Sequence, residues 1–233
     1  MIKNISILFA VIALATATAN KAVAADLFYN HNLSIGAKGG VTLSKVNFQS
    51  SVPQKMITGA IIGASIRYIE EKHFGLIAEF NLEQRGWNED FKPLEGYSFK
   101  KQFTYLQIPL LTHIYFGSDK ARFFVNAGPE IGFMIGDKTS SNFDYENAAS
   151  NEDLINSYRK IEQFTLPVER KFDYGISASL GMEFNMSSKH ALNLEGRFYY
   201  GLNDVFSNKK SDPFQGSSSM SIMITLGYNI RIK

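Results

Sequence analysis

The last fourteen residues, 220–233, alternate between apolar and polar side chains. Apolar residues occupy every even position from Met220 to Ile232, and Met223 is the only apolar residue at the odd positions between them. A period of two predicts an extended strand whose side chains point to opposite faces. The same period recurs upstream and predicts seven further strands, at 33–44, 59–69, 74–87, 104–116, 122–135, 172–184 and 192–202.

The connections between these strands alternate in length. Short ones lie at 70–73, 117–121 and 185–189, and long ones at 45–58, 88–103, 136–171 and 203–219. This rhythm is typical of bacterial outer-membrane barrels, which have tight periplasmic turns and long outer loops. The pattern therefore predicts an all-β fold: an eight-stranded antiparallel up-and-down transmembrane β-barrel with short periplasmic turns and long extracellular loops.

Two observations favour lipid on the apolar face over a soluble barrel of the lipocalin kind. The polar face is rich in Gly, Ser and Asn, which suit a narrow lumen better than a water-facing strand surface. The aromatic residues of the apolar face sort into two belts, as they do at the two membrane interfaces. The belt near the turns holds Tyr68, Phe74, Phe116, Phe123, Phe184 and Tyr228, and the belt near the loops holds Phe133, Phe172, Tyr174 and Tyr200.

The N-terminus predicts export from the cytoplasm. Residues 1–24 combine Lys3, an apolar run and the small-residue pattern Ala22-Val23-Ala24, which indicates a secretory signal peptide. We expect residues 25–32 to form a short periplasmic lead and 33–233 the barrel domain in the outer membrane of a Gram-negative cell. Cleavage removes two lysines and no acid, which leaves 22 basic and 22 acidic residues. A neutral chain does not favour nucleic acid as a partner.

The sequence gives little support for catalysis or metal binding. It has no cysteine, and its four histidines are His31, His73, His113 and His190. Only His113 is predicted to point into the lumen, and the predicted strand pairing assembles no catalytic triad around it. Spacings typical of metal ligands are absent. We therefore expect a non-enzymatic protein with no catalytic, cofactor-binding or metal-binding residues.

Charged residues concentrate on the predicted lumen face at mid-height. Eight strands enclose a lumen only about wide enough for side chains, and an unpaired charge there costs several kcal/mol. Acids and bases are nearly balanced, which favours a hydrogen-bonded plug over a water-filled path. We expect this structural charge network to comprise Lys38, Glu79, Glu83, Arg85, Glu130, Glu195 and Arg197.

Two prolines fall inside predicted interior strands. A proline removes a ladder hydrogen bond, and with the turn at 117–121 Pro109 lies opposite Gly128 or Pro129. We expect a bulge or a ladder gap there, able to shift the inward and outward assignment above it by one residue. The lumen positions that depend on this register are Tyr105, Gln107, Glu130 and Met134.

The longest loop, 136–171, is the predicted surface for a partner. Residues 151–164 have capping and stripe features of a short helix, with an extended β-ribbon as the alternative. Its charges are mixed with an acidic excess, so a protein or glycan is the expected extracellular partner. We expect replacement of 140–163 by a Gly-Ser turn to leave the barrel folded. The predicted exposed anchors are Phe143, Tyr145, Tyr158 and Phe164.

Five segments give the chain a resemblance to a known family, the PorT-like outer-membrane β-barrel proteins of Bacteroidota. The most specific are "YLQIPLLTHIYFG" at 105–117 and "FFVNAGPEIGFMIG" at 123–136; the others lie at 78–87, 173–184 and 196–205. The chain departs from many such barrels by ending in Ile232-Lys233 rather than an aromatic residue.

The resemblance implies fold and location more than activity. The expected function is a non-enzymatic structural or surface-interaction role with an occluded, charge-paired lumen, in a monomer whose barrel contacts outer-membrane lipid. Two alternatives stay open: a small porin for passive solute diffusion, and an accessory factor of type IX-like protein export.

Overall fold

The computed structural model describes residues 32–49, 52–92, 94, 96–157, 159–168, 170–206 and 214–232. The predicted signal peptide at 1–24 lies outside these described residues, and so does the predicted lead apart from Asn32, which begins the first strand.

Strands form nearly all of the regular structure. Eight of them are long, and β2 is a two-residue strand. The strands are β1 (Asn32–Gln49), β2 (Gln54–Lys55), β3 (Ile57–Glu71), β4 (Phe74–Glu89), β5 (Phe99–Gly117), β6 (Ala121–Ser141), β7 (Phe172–Asn185), β8 (His190–Asp204) and β9 (Gly216–Arg231).

The eight long strands close into one antiparallel ring. Each pairs with its neighbours in the chain, and β2 adds only a short pairing to β4. The ring closes where β1 pairs with β9 from Ser34↔Arg231 to Gln49↔Gly216. Every unpaired strand edge is thereby removed from the wall, which a structure inside a bilayer requires. The predicted eight-stranded all-β barrel is confirmed.

The outward face is apolar between the short-turn end and the loop end. The ten aromatic residues predicted for the two belts are all exposed, from 38% at Tyr68 to 51% at Phe116 and Phe123. Aliphatic side chains between the belts are as exposed, for example Leu180 at 70% and Leu226 at 61%. The inward and outward faces therefore follow the predicted alternation.

The strands extend further towards the loops than the sequence pattern predicted. The long connections predicted at 45–58 and 88–103 begin and end inside strands, because β1 continues to Gln49, β4 to Glu89, and β5 starts at Phe99. Likewise β6 continues to Ser141 and takes up the start of the predicted loop 136–171. The wall thus extends beyond the aromatic belt near the loops, the upper aromatic belt.

Pro109 interrupts the ladders on both of its sides without shifting their register. Pairing of β4 with β5 stops at Ala78↔Leu110 and resumes at Asn81↔Gln107. Pairing of β5 with β6 stops at Pro109↔Glu130 and resumes at Thr112↔Ala127. The predicted ladder gap is confirmed, but Pro109 lies opposite Glu130 rather than Gly128 or Pro129.

The register shift between β5 and β6 lies further towards the loops. It falls between Thr104↔Gly136 and Tyr105↔Met134, which leaves Ile135 as the extra residue of a bulge. Tyr105, Gln107, Glu130 and Met134 all keep the inward positions predicted for them and are buried.

The segment between β6 and β7 carries only short helical pieces. These are a 3₁₀ turn at Ala148–Ser150, α1 at Glu152–Asn156 and α2 at Glu162–Thr165. Asn151 caps α1, because its side-chain oxygen accepts hydrogen bonds from the backbone amides of Asp153 and Leu154 at 3.1 and 3.3 Å. The capping residue agrees with the sequence, and of the two predicted alternatives the helical one is found, as two short helices rather than one.

Candidate functional site

The half of the lumen nearer the short turns, the lower half, contains a cluster of two acids and two bases. We call it the lower ion cluster; its members are Lys38, Glu79, Glu195 and Arg197. Arg197 donates two hydrogen bonds to Glu79, at 2.7 and 2.8 Å, and reaches Glu195 at 2.8 Å. Lys38 Nζ lies 2.6 Å from Glu79 and 3.7 Å from Glu195. A bidentate guanidinium–carboxylate pair of this kind is among the stronger hydrogen-bonded contacts.

The upper half contains a second group, the upper ion cluster, built around Arg85. Its guanidinium pairs with Asp173, which also accepts a hydrogen bond from Tyr199 at 2.8 Å. The guanidinium stacks over the Tyr105 ring, 3.7 Å from its centre. Glu83 lies 3.8 Å from Arg85. All these side chains point inward from β4, β5, β7 and β8, so the cluster ties opposite walls together.

The predicted charge network is thus divided rather than continuous. The structure brings Lys38, Glu79, Glu195 and Arg197 together, and places Glu83 with Arg85. Glu130 stands apart: it accepts a hydrogen bond from Ser177 at 2.6 Å, and among the described residues no cation lies within 4 Å of it.

Asp173 is the residue that the predicted set omitted. Its inward position follows from the alternation in 172–184, but the sequence does not show that β7 lies across the lumen from Arg85. Arg67 and Glu183 also pair, nearer the turns.

The lumen is packed to the point where small residues are required. A Cβ at Gly63 would overlap the carboxamide oxygen of Asn81, and one at Gly175 would overlap the ring of Tyr199. A cavity of about 20 Å³ remains beside the lower ion cluster, lined among others by Arg67, His113 and Asn126. That volume is close to the space that about one water molecule needs.

His113 points into the lumen, as the alternation predicts. Its Nδ1 lies 2.7 Å from Asn126 Oδ1, and its ring packs against Tyr115 and Phe124. Its ladder partner is Asn126. Within the described part of the chain, no three histidine and carboxylate side chains stand close enough to hold a metal ion. The same residues include no helix with the length and hydropathy of a membrane span.

Beyond the upper aromatic belt, the inward face becomes apolar and forms a second core, the cap. It combines the ends of β1, β4 and β5 with residues from the loops. Trp87 packs edge-on against Phe48 and Phe206, and Phe99 contacts Phe164 with ring centres 4.6 Å apart. The fully enclosed members include Trp87, Phe99, Phe103, Leu154, Phe164, Phe206 and Phe214.

The longest loop is part of this core, which corrects one prediction. Phe164 was predicted to be an exposed anchor, but it is 1% exposed and packs against Phe91, Phe99 and Phe143. Phe143 and Tyr145 are partly buried against the same core, and the placement of the Tyr158 side chain lies outside the described residues. The aromatic residues fold inward because they find an apolar surface above the lumen.

Glu89 links the loop to the top of β4. It accepts hydrogen bonds from Gln163 Nε2 at 2.6 Å and Arg159 Nη2 at 3.3 Å. Burial raises the pKa of Glu89 to about 7, and the hydrogen bonds from Gln163 and Arg159 offset part of that effect. Glu89 lies beyond the aromatic belts, at the level where β4 leaves the wall.

The cap had a signal in the sequence that the strand predictions did not use. In 46–49, and in 99–103 apart from Lys101, the alternation of apolar and polar residues continues, with the apolar residues now at inward positions. When these segments are assigned to loops, their alternation has no structural meaning. When they are assigned to strands with reversed polarity, they predict an apolar core above the lumen.

Comparisons with known proteins agree with the architecture. A family model described as outer membrane protein beta-barrel domain matches residues 19–207. The crystal structure of OprG from Pseudomonas aeruginosa is 9% identical, covers 89% of this chain and 99% of its own, and has a TM-score of 0.51. Neisserial surface protein A is 9% identical, with coverages of 87% and 99% and a TM-score of 0.45. No curated protein sequence matches the chain.

Proposed function

The chain belongs to the outer membrane protein beta-barrel domain family, and we propose that it is a non-enzymatic, non-conducting barrel that presents a folded extracellular cap to a protein or glycan. Its place is the outer membrane of a Gram-negative cell, where the apolar face contacts lipid. Within the family we propose kinship with the PorT-like proteins, on the segments at 105–117 and 123–136.

The observation that carries the proposal is the bidentate pair between Arg197 and Glu79 across the lumen. With Lys38 and Glu195 it neutralises two acids with two bases inside a wall of eight strands. A solute path through this level would need these ion pairs to separate, and an uncompensated buried charge costs about 3–5 kcal/mol. The small cavity beside the cluster supports the same conclusion.

The cap supports a role at the cell surface. Its core buries Ala148, Leu154 and Phe164 of the longest loop, so the exposed residues next to them form a surface above the barrel. Ile155 on α1 is 50% exposed, Glu152 and Asp153 on the same helix are exposed, and so is Glu146, nine residues earlier. This mixture of apolar and acidic groups fits a protein or glycan better than a polyanion.

Single-channel recording in planar bilayers tests the occluded lumen. We expect no stable, large conductance from the purified protein. The double variant Glu79→Ala/Arg197→Ala should gain conductance, because it removes the central side chains without changing net charge. The matched control is Asp119→Ala/Arg122→Ala, which removes an ion pair at the short-turn end and should leave the recording unchanged.

A loop variant separates the cap from the lumen as the cause of closure. Replacing 140–163 by a short Gly-Ser turn removes α1 and part of the cap but leaves both ion clusters in place. We expect this variant to stay closed. Steady conductance from the unmodified protein would contradict the proposal and favour a small porin, and conductance only after loop replacement would assign closure to the cap.

A further inference from the structure

The wall of the cap contains a cavity of about 490 Å³ between the upper ends of β5 and β6 and the segment 164–168. Small-molecule sites typically measure about 300–1,000 Å³ and combine apolar walls with a few polar groups. This cavity has a size in that range and a mixed lining: Met134, Phe164, Leu166 and Val168 give apolar walls, and its charged lining residues are Lys101, Asp137, Glu146 and Lys171.

The cavity exists because β6 continues beyond the last residue pair that it forms with β7. Pairing of β6 with β7 ends at Phe133↔Phe172, whereas β6 continues beside β5 to Ser141. The segment before Phe172 therefore does not extend the sheet, and it leaves a gap at its side. Phe133 and Phe172 belong to the upper aromatic belt, so the cavity lies just outside the outer membrane interface.

Lys101 is the buried cation of this cavity. It is 6% exposed, and among the described residues its ammonium group has one hydrogen-bond acceptor, the carbonyl oxygen of Leu166 at 3.1 Å. An ammonium group has three donors. None of the described carboxylates lies within 4 Å of it, and its other close neighbours are the rings of Trp87 and Phe206, at 5.9 and 5.8 Å.

A buried ammonium group with few acceptors is costly. Burial lowers the pKa of Lys101, and the charge of Asp137 counteracts this only in part. An anion placed against the ammonium would supply the missing acceptor and reduce the cost of the buried charge.

From the cavity and its under-partnered cation, we propose that the cap binds a small amphipathic carboxylate. Its carboxylate pairs with Lys101, and its apolar chain lies against Met134, Phe164 and Leu166. Asp137 and Glu146 on the same wall disfavour ligands with a second negative charge. This proposal is independent of the occluded lumen, because every residue that it uses lies in the cap.

Calorimetric titration with octanoate tests the proposal, using the full protein in lipid nanodiscs and subtracting the heat from empty nanodiscs. Octanamide has the same chain without the charge and serves as the matched probe. We expect octanoate to bind at least about tenfold more tightly than octanamide. Lys101→Met should reduce octanoate affinity to that of octanamide, and Lys101→Arg should keep most of it.

Lys100→Met is the control variant. Lys100 precedes Lys101 in β5 and is exposed on the outward face of the strand. Its octanoate affinity should equal that of the unmodified protein. Trp87 fluorescence identifies any variant whose cap has unfolded. If Lys101→Met unfolds the cap, the proposal is tested by comparing octanoate with octanamide on the unmodified protein. Equal affinity for the two probes, no binding of either, or an unchanged affinity in a folded Lys101→Met would overturn the proposal.

Discussion

Two stretches of the same strands carry opposite chemistry on their inward faces. Between the aromatic belts, β1 turns Lys38, Thr42 and Ser44 inward, and beyond the upper belt it turns Val46 and Phe48 inward. β4 and β5 likewise turn Trp87, Phe99 and Phe103 inward at this level, with Glu89 and Lys101 as buried charged exceptions. The outward residues change in the other direction, from Val41 and Leu43 to Asn47 and Gln49.

The change shows that polarity follows the surroundings of the wall rather than the direction of the strand. Where lipid surrounds the barrel, the apolar side chains belong outside, and the narrow lumen is lined by charged, polar and small residues. Where water surrounds it, apolar side chains gain by burial inside, as in any soluble domain. On β1, β4 and β5 the reversal lies beyond the upper aromatic belt, where the strands extend into the cap.

The two regions should therefore respond differently to mutation. The lumen depends on pairing of charges across the barrel, whereas the cap depends on apolar burial. The sequence contains a single tryptophan, Trp87, which lies inside the cap, so its fluorescence reports on the cap. Gel migration without boiling reports on the barrel.

Removing the lumen's central cation should have the largest effect. Arg197→Met leaves Glu79 and Glu195 buried with Lys38 alone, and breaking a buried pair costs about 3–5 kcal/mol. We expect the free energy of unfolding in lipid vesicles, followed by gel migration in urea, to fall by that amount. Arg122→Met, which breaks a pair with the fully exposed Asp119, should change it by less than about 1 kcal/mol. Equal effects from the two variants would show that the ion pairs of Arg197 contribute no more to the free energy of unfolding than the pair between Arg122 and Asp119.

Truncating the cap core should unfold the cap and spare the barrel. Phe164→Ala removes a ring that contacts Phe91, Phe99 and Phe143, and such truncations cost about 3 kcal/mol or more. The Trp87 transition should move to lower urea while gel migration stays unchanged. Ile155→Ala, at an exposed position on α1, is the control and should leave both readouts in place. A joint shift of both readouts would mean that cap and barrel unfold as one unit.

The Glu89 link predicts that the cap loses stability as pH rises. Its pKa is about 7 in the folded cap and about 4.3 in an unfolded chain, so between these values the folded state binds more protons. The slope is at most about 1.4 kcal/mol per pH unit, with the cap more stable at pH 5 than at pH 8. Urea titrations of Trp87 fluorescence at the two pH values measure it. Glu89→Gln should flatten the profile, and a profile of the same steepness in this variant would assign the dependence to another group.

The smallest effect is expected at Asn151, the N-terminal capping residue of α1. Asn151→Ala removes the acceptor for two backbone amides and should cost about 1 kcal/mol. Amide hydrogen exchange at Asp153 and Leu154 should accelerate about fivefold, while exchange in β7 stays unchanged. Asn151→Asp retains the side-chain acceptor and should restore protection. Unaltered exchange in Asn151→Ala would mean that burial of Leu154 alone holds the helix.

The sequence predicted more of the barrel than of the cap. The eight strands, their faces, both aromatic belts and the ladder gap at Pro109 all follow from alternation and local backbone chemistry. The loop between β6 and β7 did not follow, because Phe164 and Tyr145 are equally compatible with exposure and with burial until the core opposite them is known. The predicted loop boundaries failed where the alternation reversed its polarity.

Local rules therefore determined which residues form strands and which side of each strand is apolar, because side-chain period and solvent preference are encoded along the chain. Only the tertiary structure decided which charges meet. Arg85 pairs with Asp173, 88 positions away in the chain, and Arg197 with Glu79, 118 positions away, because the closed ring sets strands face to face across the lumen. The cavity around Lys101 arises in the same manner, from the level at which β7 stops pairing with β6.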